Sequence, residues 1–171
     1  MREIKFRAWS NKYQHMFRVR EITQDRNGYT HGTIDEEFEN EFEPEFDTPF
    51  AWVGRVDFTK SPDGEQSGLF QDPDEEPFYL MQYTGLKDKN RKEIYEGDVV
   101  KFKSVYYENK IMKAVVKFKD SLGAFVFDMG DDQGTWIMNA SMREIEVIGD
   151  VYRNPDLLEA AESGKVRKWT N

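Results

Sequence analysis

Carboxylates dominate the reactive groups of this 171-residue chain, with 33 Asp and Glu against 24 Lys and Arg, two His and no Cys. Without cysteine there is no thiol nucleophile, no thiolate-bound zinc and no iron–sulfur cluster. His15 and His31 are too few for the usual histidine metal sites and triads. Acid chemistry would therefore need carboxylates that converge. The run Asp88-Lys89-Asn90-Arg91-Lys92 begins as a calcium loop does, but Lys92 replaces an oxygen ligand and Val99 stands where a bidentate Glu is required. Asp128, Asp131 and Asp132 lie in DMGDDQG, which reads as a solvated turn. The chain has no phosphate loop, no dinucleotide glycine fingerprint and no Gly-x-Ser-x-Gly elbow. We expect no catalytic residue, no metal and no cofactor, and hence no enzyme.

Binding chemistry is better represented. Arg2, Lys5, Arg7, Lys12, Arg18 and Arg20 interleave with Trp9 and Tyr13, the mix of cations and stacking rings that a single-strand binder uses. Lys87, Lys89, Arg91 and Lys92 form a second basic loop. Opposed to both is DEEFENEFEPEFD, residues 35–47, with eight acids in thirteen positions. Glu37, Glu39, Glu41, Glu43 and Glu45 share one parity, and Phe38, Phe42 and Phe46 share the other. On an extended chain these make one anionic and one aromatic side; Pro44 argues against a helix. Charge is segregated accordingly: residues 1–20 sum to +5, residues 21–80 to -14, and residues 81–171 to zero.

The elements that must carry these groups read as β. Ile4, Phe6 and Ala8 alternate with Lys5, Arg7 and Trp9, a period of two. Tyr13 to Ile22 is rich in strand formers, and Asn27-Gly28 signals a hairpin turn with both central residues at positive φ. Further strands are expected at 50–58, 78–83, 99–107, 111–119, 124–129, 135–138 and 144–152. Asn154-Pro155-Asp156 opens the one helix, with Asn154 as its N-cap. We expect a mainly β chain with four parts: an N-terminal hairpin region (1–34), an acidic aromatic insertion with a flexible loop (35–77), a small barrel-like or strongly bent antiparallel sheet (78–153), and a C-terminal helix with a basic tail (154–171).

The run LMQYTGLKDKNRKEIYEGDVV, Leu80 to Val100, resembles the signature of the YopX family of phage and prophage proteins. The opening MREIKFRAW and the stretch VIGDVYRNPDLL, Val147 to Leu158, are similar to that family's start and C-terminal motif. Arg91 departs from the Gly of the family's Lys-Asn-Gly turn, so Asn90 is expected to hold the positive φ instead. The resemblance implies a mobile-element gene expressed inside a bacterial host, a mostly β fold and self-association. It implies no reaction.

No apolar run is long enough to span a membrane, and charges interrupt the N-terminus where a signal peptide needs an apolar core. A cytoplasmic protein is expected. The reading that follows is a non-enzymatic, self-associating interaction module, a homo-oligomer that engages a phage or host protein. Two alternatives stand beside it. One is nucleic-acid binding through the basic aromatic N-terminal face. The other is an acidic mimic, with Glu37 to Phe46 capturing a host DNA-binding protein.

Overall fold

Alternating apolar residues in short runs, broken by Gly, Asn and Asp, produce strands joined by tight turns. The computed structural model describes residues 2–34, 52–57, 67–71, 74–130, 134–137 and 142–157. It divides into an N-terminal unit, residues 3–82, and a C-terminal unit that begins at Tyr83 and includes Arg2.

The N-terminal unit holds β1 (Phe6–Ser10), β2 (His15–Gln24), β3 (Thr30–Ile34), β4 (Trp52–Asp57), β5 (Ser67–Phe70) and the first half of β6 (Phe78–Lys87). Each pairs with its successor, and β1 also pairs antiparallel with β6, Ala8 opposite Leu80, so the sheet closes on itself. Closure leaves no sheet edge unpaired, the usual solution for an all-β unit. Ala8, Phe17, Ile34, Val56, Leu69, Phe78 and Leu80 fill the interior. The Phe17 and Phe78 rings meet edge to face with centroids 5.6 Å apart.

The turn at Asn27-Gly28 differs from expectation. Only Gly28 has positive φ, at 85°. Asp25 explains the difference: its Oδ1 accepts hydrogen bonds from the amides of Asn27 (2.8 Å) and Tyr29 (3.1 Å). Its carbonyl accepts from Gly28 N–H at 3.1 Å. That is a right-handed turn ended by one left-handed glycine, the three-residue hairpin type.

In the C-terminal unit, β7 (Glu93–Tyr95) pairs with the second half of β6, Tyr83 opposite Tyr95. A five-stranded antiparallel sheet follows, in the order β11-β10-β9-β8-β12. Its strands are β8 (Asp98–Ser104), β9 (Lys110–Lys119), β10 (Ala124–Asp128), β11 (Thr135–Ile137) and β12 (Met142–Asp150). One face packs Val100, Phe102, Met112, Ala114, Val116 and Phe127, with Ile94 from β7. Phe102 and Phe127 stack with centroids 5.1 Å apart.

The fold is mainly β, as expected, but closure falls elsewhere. The closed barrel is N-terminal, built from β1 to β6, and the 78–153 stretch supplies only one of its strands. The division between units runs inside β6, between Gln82 and Tyr83, and not at 77/78. The reason is that β6 is ten residues long and changes partners halfway, from β1 and β5 to β7. Within the expected flexible loop, Ser67–Phe70 is strand β5, with Leu69 fully buried. Four residues with a central Gly carry too little periodicity to announce a strand. Residues 105–107 leave β8 as a 3₁₀ turn.

At the C-terminal end Pro155 to Leu157 make a helical turn. Asn154 is not its side-chain cap: its Oδ1 accepts from the Asp150 amide at 3.2 Å, upstream of the helix. No helix among the described residues is long and apolar enough to cross a membrane.

Candidate functional site: the signature clamp and the lysine face

The motif residues of the C-terminal unit build a clamp. Asp88 is 7% exposed. Its Oδ1 accepts from the amides of Asn90 (2.8 Å) and Lys92 (2.9 Å), and its Oδ2 from Val147 N–H (3.0 Å). Lys89 N–H donates to the Ile145 carbonyl at 2.8 Å. Gly97 N–H donates to Val116 O, and Val151 N–H donates to Gly97 O. Asp98 accepts from Tyr95 N–H at 2.8 Å. Asp150, fully buried, accepts from the amides of Tyr152 and Arg153 and pairs with Arg153 Nε. The loop 84–98 and the stretch 147–154 are therefore one hydrogen-bonded assembly, whose three aspartates are engaged by backbone amides. Their chemistry is that of loop anchors. Among the described residues no three His, Asp or Glu converge as a metal site would require; Asp131 and Asp132 lie outside those residues.

Arg91 takes the positive φ itself, at 67°. Asn90 does not: Arg91 N–H donates to the Asp88 carbonyl at 3.0 Å, closing a turn over Lys89 and Asn90, and the positive φ falls on the residue after that turn.

Part of the expected N-terminal basic face is covered. Arg7 and Trp9 are 1% and 3% exposed, so neither presents a cation or a stacking plane to a ligand. Trp9 Nε1 donates to Asn11 Oδ1 at 2.8 Å. Tyr13 is half-buried against Phe17 and Phe78. Lys5 is paired with Glu3 at 3.1 Å, and Arg2 lies over the Phe125 ring at 5.2 Å from its centroid. Lys12, Arg18 and Arg20 are exposed. The acidic strip, Glu37, Phe38, Glu39, Glu41, Phe42, Glu43, Glu45 and Phe46, lies outside the described residues.

The loop cations Lys87, Lys89, Arg91 and Lys92 are all exposed and border a surface that the sequence reading missed. On the side of the five-stranded sheet opposite Val100, Phe102 and Val116, a side on which Val99 and Val126 are buried, period-two alternation places Lys101 and Lys103 of β8 and Lys113, Lys117 and Lys119 of β9. Lys101 and Lys113 are direct cross-strand partners, as are Lys103 and Ile111, the latter 62% exposed. Three acids answer these cations. Glu146 bridges Lys89 (3.0 Å) and Lys101 (3.2 Å), Glu144 holds Lys103 (2.9 Å), and Asp128 holds Lys117 (3.0 Å). The Lys89 and Lys101 ammoniums keep the Glu146 carboxyl below its ordinary range, and Glu146 raises Lys89. Lys103 lowers Glu144 in the same way. Among the described residues Lys113 and Lys119 make no ion pair. The signal was available: residues 87–119 hold ten bases against five acids. It vanished in a charge sum taken over the whole C-terminal half.

A family model described as YopX protein matches residues 5–159. The chain is similar to protein EF1440 from Enterococcus faecalis, with 26% identity and a TM-score of 0.54, covering 92% of this chain and 99% of that one. It is also similar to protein yopX from Bacillus subtilis, with 23% identity and a TM-score of 0.49, covering 90% and 96%. No curated protein matches it.

Proposed function

This chain belongs to the YopX protein family, and from that premise we propose that it is a phage-type, non-enzymatic interaction module that assembles with copies of itself in the host cytoplasm and engages a phage or host macromolecule. The observation that carries this reading is the separation of charge within one chain. Residues 21–80 sum to -14, while residues 87–119 sum to +5 and gather their lysines on one sheet face. A molecule bearing both patches is complementary to its own copies, and such fields steer association. The motif aspartates supply no competing reaction, being occupied as loop anchors.

Sedimentation velocity over a concentration series tests the proposal. A species heavier than the 20.2 kDa chain, growing with concentration, is expected. A single 20.2 kDa species at every concentration would overturn it.

A further inference from the structure

We propose that the lysine face of the C-terminal sheet is the docking surface for the acidic segment 35–47 of a second copy, an inference that rests on the self-association reading above. Like charges placed directly opposite on adjacent strands are unfavourable unless a counter-charge lies between them. The Lys101–Lys113 pair is such a placement. The acids at hand are already committed: Glu146 serves both Lys89 and Lys101, and Glu144 serves Lys103. Lys113 and Lys119 remain without an ion pair among the described residues, on a face where Ile111 adds exposed apolar area. An anionic chain laid across β8 and β9 answers all of these at once.

The occupant follows from charge. Segment 35–47 holds eight acids and no base, the densest anionic stretch of the sequence. Ile34 and Trp52, the described residues that flank it, are paired across β3 and β4. Each copy carries one segment and one lysine face, so reciprocal exchange satisfies both in a closed pair, the commonest oligomer symmetry. Nucleic acid is the weaker occupant, because a chain of net charge -9 repels a polyanion and carries a competing one of its own.

Charge exchange tests this in the full-length chain. One variant carries Lys113→Glu with Lys119→Glu; another carries Glu39→Lys, Glu41→Lys and Glu43→Lys. By light scattering, the wild type is expected at about twice the chain mass and each variant alone at the chain mass of 20.2 kDa. An equal mixture of the two variants is expected to regain the doubled mass, since each then offers what the other lacks. A mixture that stays monomeric overturns docking between copies. Wild-type mass retained by both variants overturns the surface assignment while leaving self-association intact. A monomeric wild type defeats the functional reading itself. A 20-base oligothymidylate whose binding is lost in the lysine variant, with mass unchanged, would assign the face to nucleic acid and overturn the proposal.

Discussion

At Arg91 a side chain with a β-carbon occupies φ of 67°, a conformation that glycine adopts without steric cost. Arg91→Gly is therefore expected to raise stability by about 1 kcal/mol, read as a higher urea midpoint with unchanged slope. A lower midpoint would mean that the turn tolerates Arg without strain. Asp88, three residues upstream, accepts from three backbone amides in a buried position. Asp88→Ala orphans those amides and is expected to cost about 3 kcal/mol; a loss under 1 kcal/mol would remove its anchoring role. The type of residue at 91 was visible in the sequence, but which neighbour bears the positive φ was not. That depends on the Asp88 carbonyl accepting from Arg91 N–H and closing the turn over Lys89 and Asn90, a contact no pattern displays. Arg7 and Trp9 teach a related lesson. Alternation told which side chains share a face of β1, and it could not tell that both faces are covered. Ile4, on the apolar parity, is 63% exposed because β1 begins only at Phe6.

Among the elements, β12 and the turn after it depend on Gly149. A β-carbon there would lie 2.5 Å from Asn154 Oδ1 and 2.7 Å from Leu157 Cδ1. Gly149→Ala is expected to destabilise by about 1–3 kcal/mol. Asn154→Ala clears part of that space, so the double variant is expected to lose less than the sum of the singles. Strict additivity in denaturant titrations would show that the two residues do not meet. The ion pairs beside β12 add a pH dependence. The Glu146 carboxyl is lowered on folding from an ordinary value of 4.5, chiefly by its hydrogen bond to Lys89. Its contribution is complete above that ordinary value and is lost as pH falls through the lowered one. Glu146→Gln is expected to flatten the acid limb of the stability profile below about pH 4.5, while an unchanged limb would place acid sensitivity in other groups. The longer strands were legible because their apolar residues alternate over five or more positions. β5 and β7 were not, having four and three residues, whereas β11, equally short, showed itself through its Thr, Trp and Ile.

For the whole molecule, the mainly β class was legible and the position of barrel closure was not. Closure pairs β1 with β6, strands remote in sequence, and local patterning carries no record of a long-range partner. The lysine face had the same fate: its cations sit on two strands and become a surface only when Lys101 comes opposite Lys113. The family signature, by contrast, was legible as sequence before its role was. Its conspicuous charged run turned out to serve a clamp between the β6–β7 loop and β12, through Asp88, Lys89 and Glu146. Under the proposed self-association, the molecule presents its segregated charge to its copies. Association driven by exposed charges is screened as ionic strength rises, over a length of roughly 10 Å at 0.1 M salt.

The most direct measurement is the light-scattering mass of the full chain at low and at high salt. Charge-driven self-association gives a mass well above 20.2 kDa at low salt that falls toward 20.2 kDa as salt is raised. A mass of 20.2 kDa under both conditions would contradict self-association, and a heavier mass indifferent to salt would contradict its electrostatic basis.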